Sequence, residues 1–147
     1  MAQSFTCVYL HIVFSTKERL PLIPRAEQER VWSYVGGILK NHEMKGLAIG
    51  GMEDHIHLLV SLSSEMSTAR VVNLIKSNSS KWLRDKNRDF AWQKGYAAFS
   101  VSASALDSVA KYINTQPEHH KKRDFKQEYL ALLKKHGVEY DPKWVFD

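Results

Sequence analysis

The chain has 147 residues, of which 44% are hydrophobic, with a formal net charge of +5 and a sequence pI of about 9.3. This length suits one domain over residues 1–147, and no apolar run is long enough to span a membrane. The single cysteine, Cys7, excludes an internal disulfide framework and is typical of the reducing cytoplasm, while the basic balance favours a polyanionic partner.

Hydrophobic periodicity predicts alternating strands and helices over the first two thirds of the chain. In chain order these are a strand at 4–15, a helix at 25–42, strands at 45–50 and 55–62, a helix from the N-cap Ser67 to about 86, and a strand at about 95–102. Gly50 and Gly51, with Glu53 and Asp54, are expected to form the tight turn of a 45–62 hairpin.

The C-terminal part predicts two more helices, at roughly 104–115 and 125–136, the second with Gly137 as its C-cap. The order β-α-β-β-α-β is that of a ferredoxin-like α+β fold, an antiparallel sheet backed by two helices. One side of the first strand is mixed and carries Tyr9 and His11. Such a half-apolar face needs a cover, which a C-terminal helix of this chain or of a partner would supply.

Two histidines, His55 and His57, lie two residues apart in the strand predicted at 55–62. Side chains at this spacing point the same way, with Cα atoms roughly 6.5–7 Å apart, so both imidazoles can converge on one cation. Two unrelated histidines on a sheet face would give the same pattern. The pair therefore predicts a metal site only in combination with a third ligand.

Tyr112 and Gln116 are i and i+4 along the helix predicted at 104–115, so their side chains are neighbours on one flank. A phenol has a pKa near 10 and needs a base or a metal to act as a nucleophile. A divalent ion held by His55, His57 and Gln116 would polarise a phosphate oxygen for in-line attack. Imidazoles alone suit zinc, but the amide and phosphate oxygens make Mg²⁺ or Mn²⁺ natural choices.

Together these residues resemble a known family. His55-Ile56-His57, followed by Leu58-Leu59, resembles the His-hydrophobic-His motif of HUH endonucleases. Tyr112-Ile113-Asn114-Thr115-Gln116 resembles the catalytic-helix motif of their single-tyrosine branch, the insertion sequence 200-like transposases. The similarity extends through most of the chain, including Lys17 and Arg19, Trp92-Gln93, Gly95-Tyr96, Phe99-Ser100-Val101-Ser102, His119-His120, and Phe125 with Glu128.

The resemblance implies a ferredoxin-like, or RRM-like, fold with a C-terminal catalytic helix, and an enzyme that cleaves and rejoins single-stranded DNA at insertion-element ends. Tyr112 would attack a phosphodiester, leaving a 5′-phosphotyrosine link and a free 3′-hydroxyl. The family also recognises DNA hairpins near the element ends. Its members are homodimers in which the tyrosine helix of one subunit commonly completes the His pair of the other.

Further residues are expected to support this chemistry. His11 shares the side of the His pair and would lie behind the metal ligands, whereas Asp54 would assist the metal or, preferably, cap the turn. Contacts with DNA are expected at Lys17, Arg19, Lys76, Lys81, Arg84, His119 and His120. A solvated helix face explains most of the basic residues individually, and solvated or structural roles explain the two histidines equally well.

Three other functions are compatible with the sequence. A domesticated relative would keep the fold and the site but act on a chromosomal repeat. A non-enzymatic RRM-like module would stack bases on exposed aromatic side chains such as Tyr9 and bind nucleic acid without a metal. A zinc hydrolase would use the His pair, although the sequence offers no third His or Cys at a suitable spacing.

Overall fold

The computed structural model describes residues 2–147 as one antiparallel sheet with helices on both of its faces. The elements in chain order are β1 Tyr9–Ser15, α1 Gln28–Asn41, β2 Lys45–Met52, β3 His55–Ser61, α2 Thr68–Arg84, β4 Ala97–Val101, α3 Leu106–Asn114, α4 Gln116–His119 and α5 Phe125–Lys135. Short 3-10 turns lie at Lys17–Arg19, Arg25–Glu27 and Ala103–Ala105. Within this part of the chain, no helix has both the length and the apolar character needed to cross a bilayer.

The strand order is β2-β3-β1-β4, and all neighbouring strands are antiparallel. This arrangement confirms the predicted ferredoxin-like α+β fold. Both predicted helix caps are also present: the Ser67 side chain accepts a hydrogen bond from the backbone N–H of Arg70, and Gly137 has a φ of 66°.

The first strand is shorter than the sequence predicts, because it begins at Tyr9 and not at residue 4. Tyr9 pairs with Ser61 of β3 and with Val101 of β4, which are the last residues of those strands. Beyond them, the N–H of Leu62 still donates to the carbonyl oxygen of Val8, but residues 4–7 belong to no described strand, and the Phe5 side chain is 88% exposed. Alternating hydrophobicity predicted correctly which residues of β1 share a face. It carries no information about where the strands that pair with β1 end.

The hairpin turn also differs from the prediction. β2 continues through Met52, so Gly50 and Gly51 are strand residues and only Glu53 and Asp54 form the turn. Gly50 allows a close approach of another element, because a Cβ built on it would overlap the carbonyl oxygen of Ile113 in α3. The glycine is thus explained by packing against a helix more than sixty residues away in the chain.

One face of the sheet carries the main hydrophobic core. Alternate residues of β1 and β3 point towards α1 and α2, which contribute apolar side chains such as Val35 and Ile75. The fully buried members from the two strands are Ile12, Phe14, Ile56, Leu58 and Val60. This pattern follows from the two-residue period of a strand, which sends every second side chain to the same face.

The second face is covered by two helices of the same chain. α3 places Ile113 against Ala48 and Leu59, and α5 packs a mainly aromatic and leucine-rich stripe on Val13 and Phe99. The sequence left open whether this cover belongs to the chain or to a partner, and the structure supplies it from the chain itself. The sheet face that an RRM-like module would need for stacking bases is therefore closed.

Candidate active site and metal centre

The register of β3 sends His55 and His57 to the second face of the sheet, while Ile56 and Leu58 enter the main core. Both histidines are fully buried under α3, α4 and α5. Each uses one ring nitrogen to contact a residue that lies behind it and directs the other, Nε2, to a common point. The predicted convergence of the two imidazoles is therefore present in the fold.

The residues behind the two rings are Asp54 and His11. The Nδ1–H of His55 donates to Oδ1 of Asp54 at 2.7 Å, and Nδ1 of His57 is hydrogen-bonded to Nε2 of His11 at 2.8 Å. Contacts of this kind fix the orientation of a ligand imidazole and decide which nitrogen faces the metal. Burial, with a contribution from His57, lowers the pKa of His11 to about 3, so this ring is neutral at physiological pH.

Gln116 lies just after an interruption of the helix at Thr115, which the sequence did not reveal. α3 ends at Asn114, and Gln116 is the first residue of the short helix α4. Its side chain is fully buried, with Oε1 2.9 Å from Nε2 of His55. The amide nitrogen still lies 3.5 Å from the carbonyl oxygen of Tyr112, so the two residues remain neighbours as the spacing predicted.

Tyr112 reaches the same cluster from α3. Its half-buried ring stands edge-on to both His57 and His11, with centroid separations of 5.8 Å and 6.2 Å. Its hydroxyl donates a hydrogen bond to Oε2 of Glu128. Burial and this carboxylate raise the pKa of Tyr112 above its ordinary value. The hydroxyl is therefore protonated in this state, and its activation needs a group that takes or replaces the proton.

Glu128 belongs to the residues that carry the family resemblance, but the sequence motifs indicated no role for it. It lies in α5, is fully buried, and its Oε1 is 3.0 Å from Nε2 of His57 and 3.5 Å from Nε2 of His55. The signal was present in the sequence, because Glu128 falls on the apolar stripe of α5. The other buried residues of that stripe are Phe125, Tyr129, Leu132 and Leu133. An acidic residue on the buried face of an amphipathic helix requires a partner.

The charge of Glu128 is compensated by its neighbours. Burial disfavours the ionised carboxylate, but hydrogen bonds from His120 and His57 outweigh it and hold the pKa of Glu128 well below its usual range. His120, the residue after α4, donates from Nε2 to Oε1 of Glu128 at 3.1 Å. This contact raises the pKa of His120, despite its partial burial. The site thus contains a carboxylate that is ionised across the physiological pH range.

The donor atoms fit a divalent cation. The ligand atoms of His55, His57 and Glu128 lie within 4.8 Å of one another, and Oε1 of Gln116 joins them. Because His55 donates through Nδ1 to Asp54, its Nε2 offers a lone pair, yet it faces the acceptor oxygens of Gln116 and Glu128. Several hydrogen-bond acceptor atoms that point at one position can all be satisfied by a bound cation. Two imidazoles with carboxylate and amide oxygens thus form a mixed nitrogen and oxygen donor set for a divalent cation.

His119 and His120, both predicted to contact DNA, lie in different environments. His120 belongs to the buried cluster, since its Nε2 also lies 3.0 Å from Oε1 of Gln116. His119 packs beside the Tyr112 ring at a centroid separation of 4.5 Å and hydrogen-bonds to Thr115. Of the two, only His119 makes a ring–ring contact with Tyr112.

The predicted basic DNA contacts are not gathered at the site. Lys17 and Lys81 are exposed, and Arg84 is exposed but donates to Ser80 of its own helix. The guanidinium group of Arg19 donates to the carbonyl oxygen of Phe146 and lies 5.2 Å from the centre of its ring. The DNA contacts predicted for Lys17, Lys81 and Arg84 therefore stay predictions.

Lys76 has a structural environment that its position in the sequence does not reveal. Its ammonium group donates to the backbone carbonyl oxygens of Gln93, Lys94 and Gly95 at 2.6–3.2 Å. Burial lowers the pKa of Lys76 to about 8. All three N–H donors of the ammonium group are used in holding the segment before β4, so none remains for a phosphate.

One known protein family matches most of the chain. The family model described as "Transposase IS200 like" matches residues 4–116. That range includes His55, His57, Tyr112 and Gln116 but ends before His120 and Glu128. The chain is 27% identical over 126 residues to the transposases for insertion sequence element IS200 of Salmonella typhimurium and Salmonella typhi, covering 80% of this chain and 81% of each relative.

Two solved structures share the fold. A putative transposase from Deinococcus radiodurans R1 aligns with a TM-score of 0.64 and 17% identity, covering 79% of this chain and 95% of that one. A REP-associated tyrosine transposase bound to a REP hairpin aligns with a TM-score of 0.62 and 10% identity, covering 82% and 73% of the two chains. At these identities the likeness concerns the fold alone.

Proposed function

The chain belongs to the IS200-like transposase family, and on that basis we propose that it cleaves and rejoins single-stranded DNA at the ends of an insertion element in the cytoplasm. The observation that carries this proposal is the meeting of Tyr112, His55, His57 and Glu128 in one buried cluster. The two histidines come from β3, whereas Tyr112 and Glu128 come from α3 and α5, more than fifty residues further along the chain. A nucleophile, a proton acceptor and a set of cation ligands are thereby combined.

We assign the nucleophile to Tyr112 and its proton acceptor to Glu128. The Tyr112 hydroxyl already donates to Oε2 of the carboxylate, so the proton can pass along an existing hydrogen bond as the phenolic oxygen attacks phosphorus. The bond from phosphorus to the 3′-oxygen breaks, and that oxygen takes a proton from solvent. The product is a 5′-phosphotyrosine link, which keeps the energy of the phosphodiester for rejoining.

The residues that would hold Mg²⁺ or Mn²⁺ are His55, His57, Gln116 and Glu128. A bound divalent ion supplies a Lewis acid that stabilises negative charge on the scissile phosphate. Asp54 and His11 would keep the two rings aimed at it through the hydrogen bonds to their Nδ1 atoms. Gln116 is the third ligand that the sequence suggested, and we propose Glu128, whose Oε1 lies 3.0 Å from Nε2 of His57, as a further, charged one.

The DNA partner is proposed to carry hairpins near the element ends. α2 offers a surface for their phosphates, because it contains Arg70, Lys81 and Arg84 on exposed positions and no acidic residue between Thr68 and Arg84. Contacts of this kind are independent of base sequence and position the duplex. Lys17 is a further exposed candidate at the end of β1.

The assembly is proposed to be a homodimer with exchanged tyrosine helices. The structure brings Tyr112 to the His pair of its own chain, and an exchange about the Ala103–Ala105 turn before α3 would reuse the same contacts between subunits. Mixing Tyr112→Phe with His57→Ala distinguishes the two arrangements. Recovered cleavage in the mixture requires a site shared between chains, whereas continued inactivity in a mixture shown to contain mixed dimers requires a one-chain site.

The deciding experiment incubates the protein with single-stranded DNA that carries the sequences flanking its gene, with and without Mg²⁺, followed by a denaturing gel. A metal-dependent protein–DNA adduct is expected. Binding without an adduct, unaffected by EDTA, would instead support the non-enzymatic module. A domesticated relative uses the same site, so it is recognised by its substrate: an adduct with dispersed chromosomal repeats and none with the flanking sequences.

A further inference from the structure

A cavity of about 540 Å³ borders Tyr112, between the end of β4, α3 and α5. Tyr112 and His11 contribute to its walls, but the buried ligand cluster of His55, His57 and Glu128 does not. The volume is in the range of sites that bind small organic molecules. The proposed reaction uses the hydroxyl of Tyr112 and leaves this space unassigned.

The walls of the cavity combine two kinds of chemistry. Arg123 and Lys135 contribute cationic groups, and hydroxyl groups come from Ser100, Ser102 and Ser108. Apolar surface comes from Val109 of α3 and from Ala131 and Leu132 of α5. No acidic side chain lines the cavity among residues 2–147. Cations and hydroxyls bind phosphate, while apolar walls accept the flat face of a base, so the combination fits a nucleotide better than an isolated anion.

Arg123 connects the cavity to the nucleophile. Its Nη2 lies 3.5 Å from the Tyr112 hydroxyl oxygen, at the outer limit of a hydrogen bond. A phosphate bonded to that oxygen would come within reach of the same guanidinium group. The cavity therefore begins where the phosphate of a covalent adduct would be.

The direction of the strand follows from in-line displacement, and this step rests on the proposed 5′-phosphotyrosine chemistry. The leaving 3′-oxygen departs on the side of phosphorus opposite to the tyrosine oxygen. The nucleoside on the 5′-oxygen stays bonded through phosphorus to Tyr112. We infer that the cavity is the binding site for the nucleotide that becomes attached to Tyr112 through its 5′-phosphate.

The inference is tested by nuclear magnetic resonance on the full-length, ¹⁵N-labelled protein in EDTA, which keeps the metal site out of the measurement. Deoxythymidine 5′-monophosphate is the probe, with thymidine and inorganic phosphate as its two halves. We expect saturable shifts of the amides of Ser100, Ser102 and Lys135, and weaker binding of either half alone. Lys135→Ala should weaken nucleotide binding about fivefold, the effect of one charge-assisted contact in an open site.

Lys40→Ala, which removes an exposed charge in α1 away from the cavity, is the matched control and should leave nucleotide binding unchanged. The inference is overturned if the cavity amides do not shift at millimolar nucleotide, if Lys135→Ala binds as well as the wild type, or if inorganic phosphate binds as tightly as the nucleotide. The outcome is separate from that of the proposed function. Nucleotide binding without any DNA adduct would refute the proposed cleavage activity and keep the nucleotide-binding site. A DNA adduct without nucleotide binding would refute the nucleotide-binding site and keep the proposed cleavage activity.

Discussion

The hydroxyl of Tyr112 donates its hydrogen bond to the carboxylate of Glu128, sixteen residues further along the chain. The same carboxylate, through its other oxygen, contacts His57 and His120. Glu128 therefore joins the nucleophile to the metal-ligand cluster, and α5 is part of the candidate active site as well as a cover for the sheet.

Replacing Glu128 with Gln should slow cleavage by roughly 10²–10⁴-fold, since the proton acceptor of Tyr112 is lost while the shape of the side chain is kept. Affinity for Mn²⁺ should fall by at least about tenfold, as measured by calorimetry. Single-turnover cleavage of single-stranded DNA gives the rate. Glu118→Gln changes an exposed carboxylate in the neighbouring helix and should have no effect. Unchanged cleavage and Mn²⁺ affinity in Glu128→Gln would remove this residue from the mechanism.

Replacing Tyr112 with Phe should abolish the covalent adduct and leave DNA binding within about twofold, because only the hydroxyl that donates to Glu128 is lost and the ring keeps its place. A denaturing gel measures the adduct and a gel-shift titration measures binding. An adduct of normal yield in this variant would show that another residue is the nucleophile.

The metal-free protein should lose stability as the pH falls from 6.5 to 5. The pKa of His11 is lowered to about 3 in the folded state, mainly by burial, so the unfolded chain binds its proton first and acid favours unfolding. His11 alone should account for about 2 kcal/mol over this interval. Burial lowers the pKa of His57 as well and acts in the same direction. The raised pKa of His120 has its effect above pH 6.5 and does not oppose this loss.

Urea unfolding in EDTA at several pH values measures the effect. His11→Asn removes one titrating imidazole and should flatten the pH dependence between 6.5 and 5. An equally steep dependence in that variant would mean that His11 is not responsible.

Substitutions of Lys76 and Lys81 should affect different properties, stability in the case of Lys76 and DNA binding in the case of Lys81. Lys76→Met leaves three backbone carbonyl oxygens without their donor and should cost about 2 kcal/mol of unfolding free energy, with DNA affinity unchanged below the melting temperature. Lys81→Met should leave stability unchanged, weaken binding of hairpin DNA, and reduce the slope of log affinity against log salt by about 1. Thermal unfolding measures the loss of stability, and salt-dependent DNA binding measures the loss of affinity. A loss of stability in Lys81→Met together with a loss of DNA affinity in Lys76→Met would contradict both predictions.

Gly50→Ala should displace the tyrosine helix, because its methyl group would overlap the carbonyl oxygen of Ile113. We expect a loss of about 1–3 kcal/mol of stability and slower adduct formation. Gly37→Ala in α1 is the matched control, since a Cβ there meets no atom within 4 Å. It should be neutral or stabilise by up to about 1 kcal/mol. If Gly50→Ala proves as harmless as the control, α3 does not depend on this close approach.

The sequence was sufficient to predict the elements that follow a regular period. The alternation in β3 placed His55 and His57 on one face, and the i, i+4 spacing placed Gln116 beside Tyr112. Neither of these two sequence patterns indicates which residues of other elements a strand or helix will contact. Three features depend on contacts between distant parts of the chain, which only the folded structure defines. These are the residue at which the pairing of β1 begins, the packing of Gly50 against α3, and the position of Glu128 beside the His pair.

The same alternation has a consequence for how the site can be lost. His55 and His57 face the catalytic side only because β3 pairs with β1 in one register, with Val13 opposite His57. A slip of one residue would turn both imidazoles into the apolar core and bring Ile56 and Leu58 to the face that α3 and α5 cover. An insertion or deletion in the two-residue turn at Glu53 and Asp54 should therefore switch the enzyme off entirely, where most point substitutions would only weaken it. Copies of the gene that carry such a change would be recognisable as inactive from that turn alone.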